Sequence, residues 1–271
     1  MKITSIVNIS LDIFCPQHAK RHGKKYTELY KNIHSEEWIR NRIEFFRQWT
    51  LKSLNNQSFQ DFQVWMLCSA KSKPIIDSYD WDENITHCYD YGEARSKTID
   101  ADYITMTNLD SDDLFHRDIM RKIRENLILS DKVERILTTD YYRWLFHHNC
   151  FIHVVDPLVG KSGWTPCWTL IFPRDEWNWP NIKKLWFVYN PQICQVPGAK
   201  TFASDLVCQI RIKEGSHCTM LKEDPLHENR LTEELTHAEM LGRKAIFSSD
   251  EHIKILEDFG ISKIQYQKVE R

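Results

Sequence analysis

Glycine is scarce in this chain, at eight in 271 residues. No Gly-rich run follows the first apolar segment, which argues against a phosphate-cradling loop and the nucleotidyl- or phosphoryl-transfer chemistry built on one. Neither sign of charge dominates. With 36 basic and 38 acidic residues the net charge is −2, so the global signature of a nucleic-acid or membrane-surface binder is missing. No stretch approaches the roughly 18 to 20 apolar residues that cross a bilayer, and the start, Met1 to Asn8, turns polar too early for a secretory leader. The eight cysteines, Cys15, Cys68, Cys88, Cys150, Cys167, Cys194, Cys208 and Cys218, never form a Cys-x-x-Cys pair, which excludes a zinc ribbon or thioredoxin-like motif. Their scatter fits reduced thiols, and the expected location is cytoplasmic.

What the sequence does contain is Tyr103-Ile104-Thr105-Met106-Thr107-Asn108-Leu109-Asp110-Ser111-Asp112-Asp113, a β-prone apolar run that ends in three carboxylates. In extended chain Asp110 and Asp112 share a face; a turn after Leu109 instead swings Asp112 and Asp113 inward. Hard oxygen ligands suit Mg²⁺ or Mn²⁺, which take one or two protein carboxylates and fill the remaining positions with water and substrate phosphate. The competing reading is a solvated turn and helix cap, since Asp and Ser accept hydrogen bonds from free backbone N–H groups.

Strands are expected at Lys2 to Ile9, Phe62 to Cys68 and Tyr103 to Asp110, and again at Glu134 to Thr138, Asn149 to Val155 and Cys167 to Pro173. Ser35 followed by Glu36 and Glu37 reads as a helix start. Ile39, Ile43, Phe46, Thr50 and Leu54 then recur at helical spacing, giving one helix that ends near Asn55 to Gln57. Short helices are expected over Glu93 to Ala101 and Phe115 to Leu129, and two amphipathic ones over Leu231 to Arg243 and Asp250 to Phe259. Leu11 to His34, carrying Lys20, Arg21, Lys24 and Lys25, reads as a long basic loop. Alternation of strand and helix predicts an α/β fold with a mostly parallel central sheet flanked by helices, whose ligands gather at the carboxyl ends of the strands.

Two blocks resemble a known family. Trp38-Ile39-Arg40-Asn41-Arg42-Ile43-Glu44-Phe45-Phe46, continuing through Ser53-Leu54-Asn55-Asn56-Gln57 to Phe62, is similar to the helix and Ser-Leu-x-x-Gln-x-x-x-x-Phe lead of the rhamnosyltransferase-like, family 2 glycosyltransferases. Ile104 to Asp113 resembles their Thr-Arg-Leu-Asp-x-Asp-Asp, with Asn108 in place of Arg. A weaker echo lies in Leu206 to Thr219. The resemblance implies a GT-A-like (Rossmann-like) mixed, mostly parallel sheet with C-terminal helices. It also implies a catalytic, nucleotide-sugar-binding domain over residues 1–225 and a helical extension over 226–271 packed on it.

The implied activity is metal-dependent transfer of a sugar from a nucleotide-diphosphate donor to an acceptor hydroxyl, with inversion. Its cofactor would be Mn²⁺ or Mg²⁺, held by Asp110, Asp112, Asp113 and, from the C-terminal side, His217. Donor contacts are expected at Asn8, Arg95 and Asp110. The general base would be Asp205, which follows the Pro197-Gly198 turn, with Asp175 and its neighbour Glu176 second. The acceptor would be a glycan precursor, a protein or a modified nucleobase in nucleic acid. Two other functions compete: an inactive GT-A-like nucleotide-binding module, and a nucleotidyltransferase using the same carboxylates. A zinc set from His147, His148, Cys150 and His153 is rejected, because adjacent residues on a strand face opposite ways.

Overall fold

The structure is a computed structural model that describes residues 1–12, 35–89, 93, 97–138, 142–147, 150–155, 168–178, 200–202, 209–212, 245–246 and 249–262. Its main sheet is built on β1 (Ile3–Ser10), β2 (Gln63–Cys68), β3 (Ile85–Tyr89) and β4 (Tyr103–Asp110), all parallel, in the order β3-β2-β1-β4. After β5 (Asp113–Phe115) and β6 (Glu134–Thr138), β7 (Tyr142–His147) and β8 (Cys150–Val155) form an antiparallel pair. Then β9 (Trp168–Pro173) enters the main sheet antiparallel to both β4 and β6, and β10 (Lys200–Phe202) closes it beside β6. The sheet has seven strands, ordered β10-β6-β9-β4-β1-β2-β3. Only β9 runs against the rest, so the expected mostly parallel α/β sheet is observed.

A second sheet of five strands takes the order β12-β8-β7-β11-β5, adding β11 (Gln209–Ile212) and β12 (Ala245–Ile246). The chain passes from one sheet to the other between Asp110, which ends β4, and Asp113, which opens β5. The acidic run is therefore a corner rather than a simple strand end.

Helices α1 (Glu36–Gln48), α2 (Thr50–Asn55), α3 (Lys73–Ile76) and α4 (Ile119–Glu125) precede the C-terminal α5 (Ser249–Glu257). Ser35 caps α1 through its hydroxyl, which accepts from the Trp38 amide at 3.2 Å, and Glu36 and Glu37 complement the positive end of the helix dipole. The single helix expected across this region breaks at Trp49, whose ψ of −74° bends the chain so that Trp49 packs with Phe45 away from the main core. The apolar stripe Ile39, Ile43 and Phe46, with Leu54 of α2 and Ile119 and Ile123 of α4, covers the sheet face that carries Val7, Ile9, Val64, Met66 and Leu109. On the other face Ile6, Trp65, Leu67, Cys88 and Ile104 form a smaller core against Trp177.

Three further differences from the sequence reading have physical causes. β3 carries polar residues between its apolar ones and so lacks an apolar run. The helix expected from Phe115 begins only at Ile119, because Leu114 and Phe115 are fully buried as strand residues of the second sheet. Lys97 to Ala101, expected as helix, is irregular. The helix expected at Leu231 to Arg243 and most of the basic segment after Leu11 lie outside the described residues.

α5 ends in a Schellman turn: the Ile261 amide donates to the Leu256 carbonyl at 3.0 Å, and Gly260 adopts φ 76°. Leu256, Phe259 and Ile261 join Phe45, Trp49, Leu114 and Ile210 in a third core cluster. No helix among the described residues is long and apolar enough to cross a membrane.

Candidate functional site

The order β3-β2-β1-β4 reverses direction at β1, since the chain runs outward to β3 on one side and returns to β4 on the other. Ligands of open α/β sheets collect at such a switch point, in the crevice beyond the carboxyl ends of the strands. Here those ends are Ser10 and Asp110, which face each other in register. Asp110 and Ser10 are both partly exposed, two residues beyond the paired Asn8 and Asn108.

Asn8 Nδ2 donates to Asn108 Oδ1 at 2.8 Å. Asn8 itself is 1% exposed, and its Oδ1 is buried with no hydrogen-bond partner. By alternation Asn8, Ser10, Asn108 and Asp110 lie on the sheet face away from α1. A buried amide oxygen left unpaired costs roughly 1 to 3 kcal/mol, so packing alone does not account for this amide pair.

Past Asp110 the chain turns toward α1. Ser111 is fully buried and Asp112 and Asp113 are 4% and 1% exposed. The Arg42 guanidinium, also buried, donates from Nε and Nη2 to Ser111 Oγ at 3.0 and 2.6 Å, and from Nη2 to Asp112 Oδ1 at 3.3 Å. Ser111 Oγ donates in turn to the Ser10 carbonyl at 2.8 Å, and Thr50 Oγ1 donates to the Ser111 carbonyl at 3.0 Å. Of the two geometries open in the sequence, the structure adopts the one with a turn: Asp110 stays at the rim while Asp112 and Asp113 swing inward.

The Ser-Leu-x-x-Gln block is bound to the chain just beyond this corner. Ser53 Oγ accepts from the Phe115 amide at 3.2 Å. Gln57 Nε2 donates to the Ser53 and His116 carbonyls, both at 3.0 Å, while its Oε1 accepts from the Met120 amide at 3.2 Å. The two stretches that carry the family resemblance are thus one bonded unit in space.

Asp12, just past β1, is buried and accepts from the Ser69 amide at 2.7 Å and from the Ser72 hydroxyl, tying the end of β1 to the loop after β2. At the end of β3, Tyr89 donates to Asp77, and Lys73 lies 4.2 Å above the Tyr89 ring. The Asp77 carboxyl is held below its usual range by the Lys73 hydrogen bond and then by Tyr89, while burial pushes the Tyr89 phenol up. His87 stacks edge-on to Trp81 at 4.9 Å, and burial lowers its pKa.

Asp175 is not brought to Asp110. Because β9 runs antiparallel, Pro173 pairs with Tyr103 at the start of β4, which sets Asp175 and Glu176 beyond the amino end of β4, opposite the end that carries Asp110. The separation is the length of eight-residue β4, about 25 Å at about 3.3 Å per residue, too far for a base acting on a reaction at Asp110. Arg95, Asp205 and His217 lie outside the described residues. Arg42, Ser111 and Asp12 were not singled out from the sequence. Arg42 had a usable signal: it falls on the Ile39, Ile43, Phe46 stripe, where a cation requires a partner.

Among the described residues no three His, Cys, Asp or Glu side chains stand close enough to form a metal cage. That excludes a closed zinc-type site among them. A Mg²⁺- or Mn²⁺-type ion needs few protein carboxylates when phosphate supplies the rest. Asp110, a hard ligand at the rim, fits that role, while Asp112 is buried on the α1 side against Arg42. No family model matches the chain, and no curated protein matches its sequence.

Proposed function

We propose that the chain is a GT-A-like, metal-dependent glycosyltransferase, transferring a sugar from a nucleotide-diphosphate donor to an acceptor hydroxyl with inversion. The observation that carries this reading is the partly exposed Asp110, set at the carboxyl end of β4 beside Ser10 at the switch point of the sheet. The bonding of Arg42 and Thr50 to the acidic corner supports it further, because it joins the two resembling blocks in space.

In this reading Asp110 holds Mn²⁺ or Mg²⁺ at the rim, His217 is the further ligand from the C-terminal side, and Asp112 backs the corner from its pairing with Arg42. The bound ion would supply charge neutralisation for the departing diphosphate. Asp110 orients the donor at the rim, and the Asn8–Asn108 pair forms the uncharged floor below it. Arg95 is assigned to the donor phosphates and Asp205 to removal of the acceptor proton. The acceptor is a glycan precursor or a modified nucleobase.

A nucleotide-binding module without turnover is the second reading. It is favoured by the burial of Asp112 and Asp113, which leaves one carboxylate of the three at the surface. A thermal-shift screen against UDP, GDP, dTDP and CDP, each with and without Mn²⁺, tests both. A ligand at 100 times its Kd adds about 2.7 kcal/mol, so one nucleotide should raise Tm by several degrees only with metal. Absence of any shift removes both readings; a shift without hydrolysis of the matching nucleotide sugars selects the second.

A further inference from the structure

We propose that Arg42 is a positioning residue for the metal and diphosphate site, an inference that rests on the functional reading above. Arg42 is buried on the apolar stripe of α1, where packing alone calls for an aliphatic side chain. Instead it spends Nε and Nη2 on the hydroxyl of Ser111, the residue between the two aspartates, and reaches Asp112 Oδ1 with the same Nη2. The Ser111 hydroxyl accepts twice and donates once, to the Ser10 carbonyl, which exhausts its bonding capacity.

Through that one serine, β1, α1 and, by way of Thr50, α2 fix the peptide at the corner between the sheets. Rotation about this peptide would carry both neighbouring carboxylates with it. The guanidinium thereby sets the divergence of Asp110, at the rim, from Asp112, on the α1 side. A planar fork can engage the hydroxyl and the carboxylate together, whereas an ammonium is a single point with different reach. Groups that orient metal ligands from behind change metal affinity by about 10- to 100-fold when altered.

The test is Mn²⁺ binding to the full chain, followed by the loss of free-ion EPR signal, with and without UDP, GDP, dTDP or CDP. Proteins compared are the wild type, Arg42→Lys, Ser111→Ala, Asp110→Asn and the core control Ile123→Val, all at temperatures where each is folded by circular dichroism. Arg42→Lys and Ser111→Ala are expected to weaken Mn²⁺ about 10- to 100-fold, and Ile123→Val, distant on α4, to leave the Kd unchanged. Ser111→Ala keeps the test decisive if Arg42→Lys does not fold. Wild-type affinity, within twofold, in the folded Arg42 or Ser111 variants, with Asp110→Asn weakened, overturns this inference alone. Wild-type affinity in Asp110→Asn, or no Mn²⁺ binding by the wild type, overturns the functional reading and this inference together.

Discussion

Replacing Gly260 by alanine tests how α5 is joined to the helix that supports the acidic corner. Gly260 has φ 76°, and a Cβ there would lie 2.5 Å from Asn56 Cβ and 2.9 Å from the Lys52 carbonyl oxygen. The left-handed conformation costs alanine about 1 to 2 kcal/mol, of which about 0.4 to 1 kcal/mol is offset by the lower entropy of the unfolded chain. The steric term is larger. A contact of 2.5 Å forces α5 from α2 by about 1 Å, and overpacking of this kind costs about 1 to 3 kcal/mol. The sum is about 2 to 4 kcal/mol, or roughly 5 to 15 °C in Tm for a domain of this size. Scanning calorimetry of Gly260→Ala measures it. Adding Asn56→Gly removes the 2.5 Å contact and should return part of the loss, whereas Gly260→Asn, which tolerates φ above zero but keeps a Cβ, should recover only about 1 kcal/mol. A Gly260→Ala protein within 1 °C of wild type, on a scale of about 2 to 4 °C per kcal/mol, would refute the α2–α5 contact.

Three other outcomes follow from the same geometry. Gln57→Leu strands the Met120 amide and the Ser53 carbonyl, at about 1 to 3 kcal/mol for a buried group left unpaired, and the urea midpoint should fall with m unchanged. Cys68 and Cys88 are buried free thiols whose pKa values are raised by burial, that of Cys88 to about 12, so iodoacetamide at pH 8 should label neither until the chain is unfolded. His87 is held below its ordinary value of 6.5 by burial, so it contributes full stability above about pH 6.5 and loses it as the pH falls from there toward its lower folded value. His87→Phe should flatten that part of the urea-midpoint profile; an unchanged slope would place the pH response elsewhere.

Much of the central sheet could be read from the chain because its strands are apolar on both faces, and such runs stand out without tertiary knowledge. β1, β2, β4 and β9 are of this kind. β3 and, in the second sheet, β5, β11 and β12 are short or polar and owe their conformation to neighbours distant in sequence: β5 is extended because it pairs with β11, nearly 100 residues later. The same limit applied to the acidic run. Its three carboxylates marked the site, but their division into rim and interior is decided by Arg42 and Thr50, on helices some 60 to 70 residues upstream. The helix from Phe115 was misplaced for the same reason, since Leu114 and Phe115 satisfy a sheet that local periodicity does not register. Asp175 suits a base by composition alone, and only the reversed direction of β9 sends it to the amino end of β4.

The proposed site joins a divalent ion and a nucleoside diphosphate at Asp110, at the switch point of the sheet. The most direct measurement is calorimetric titration of Mn²⁺ plus the nucleotide selected by thermal shift into the wild type and into Asp110→Asn. Asp110 is partly exposed at the strand end, and the amide variant should lose coupled binding by at least about tenfold, or about 1.4 kcal/mol. Equal affinity in the two proteins, with the nucleotide bound alike in the presence and absence of Mn²⁺, would contradict the account.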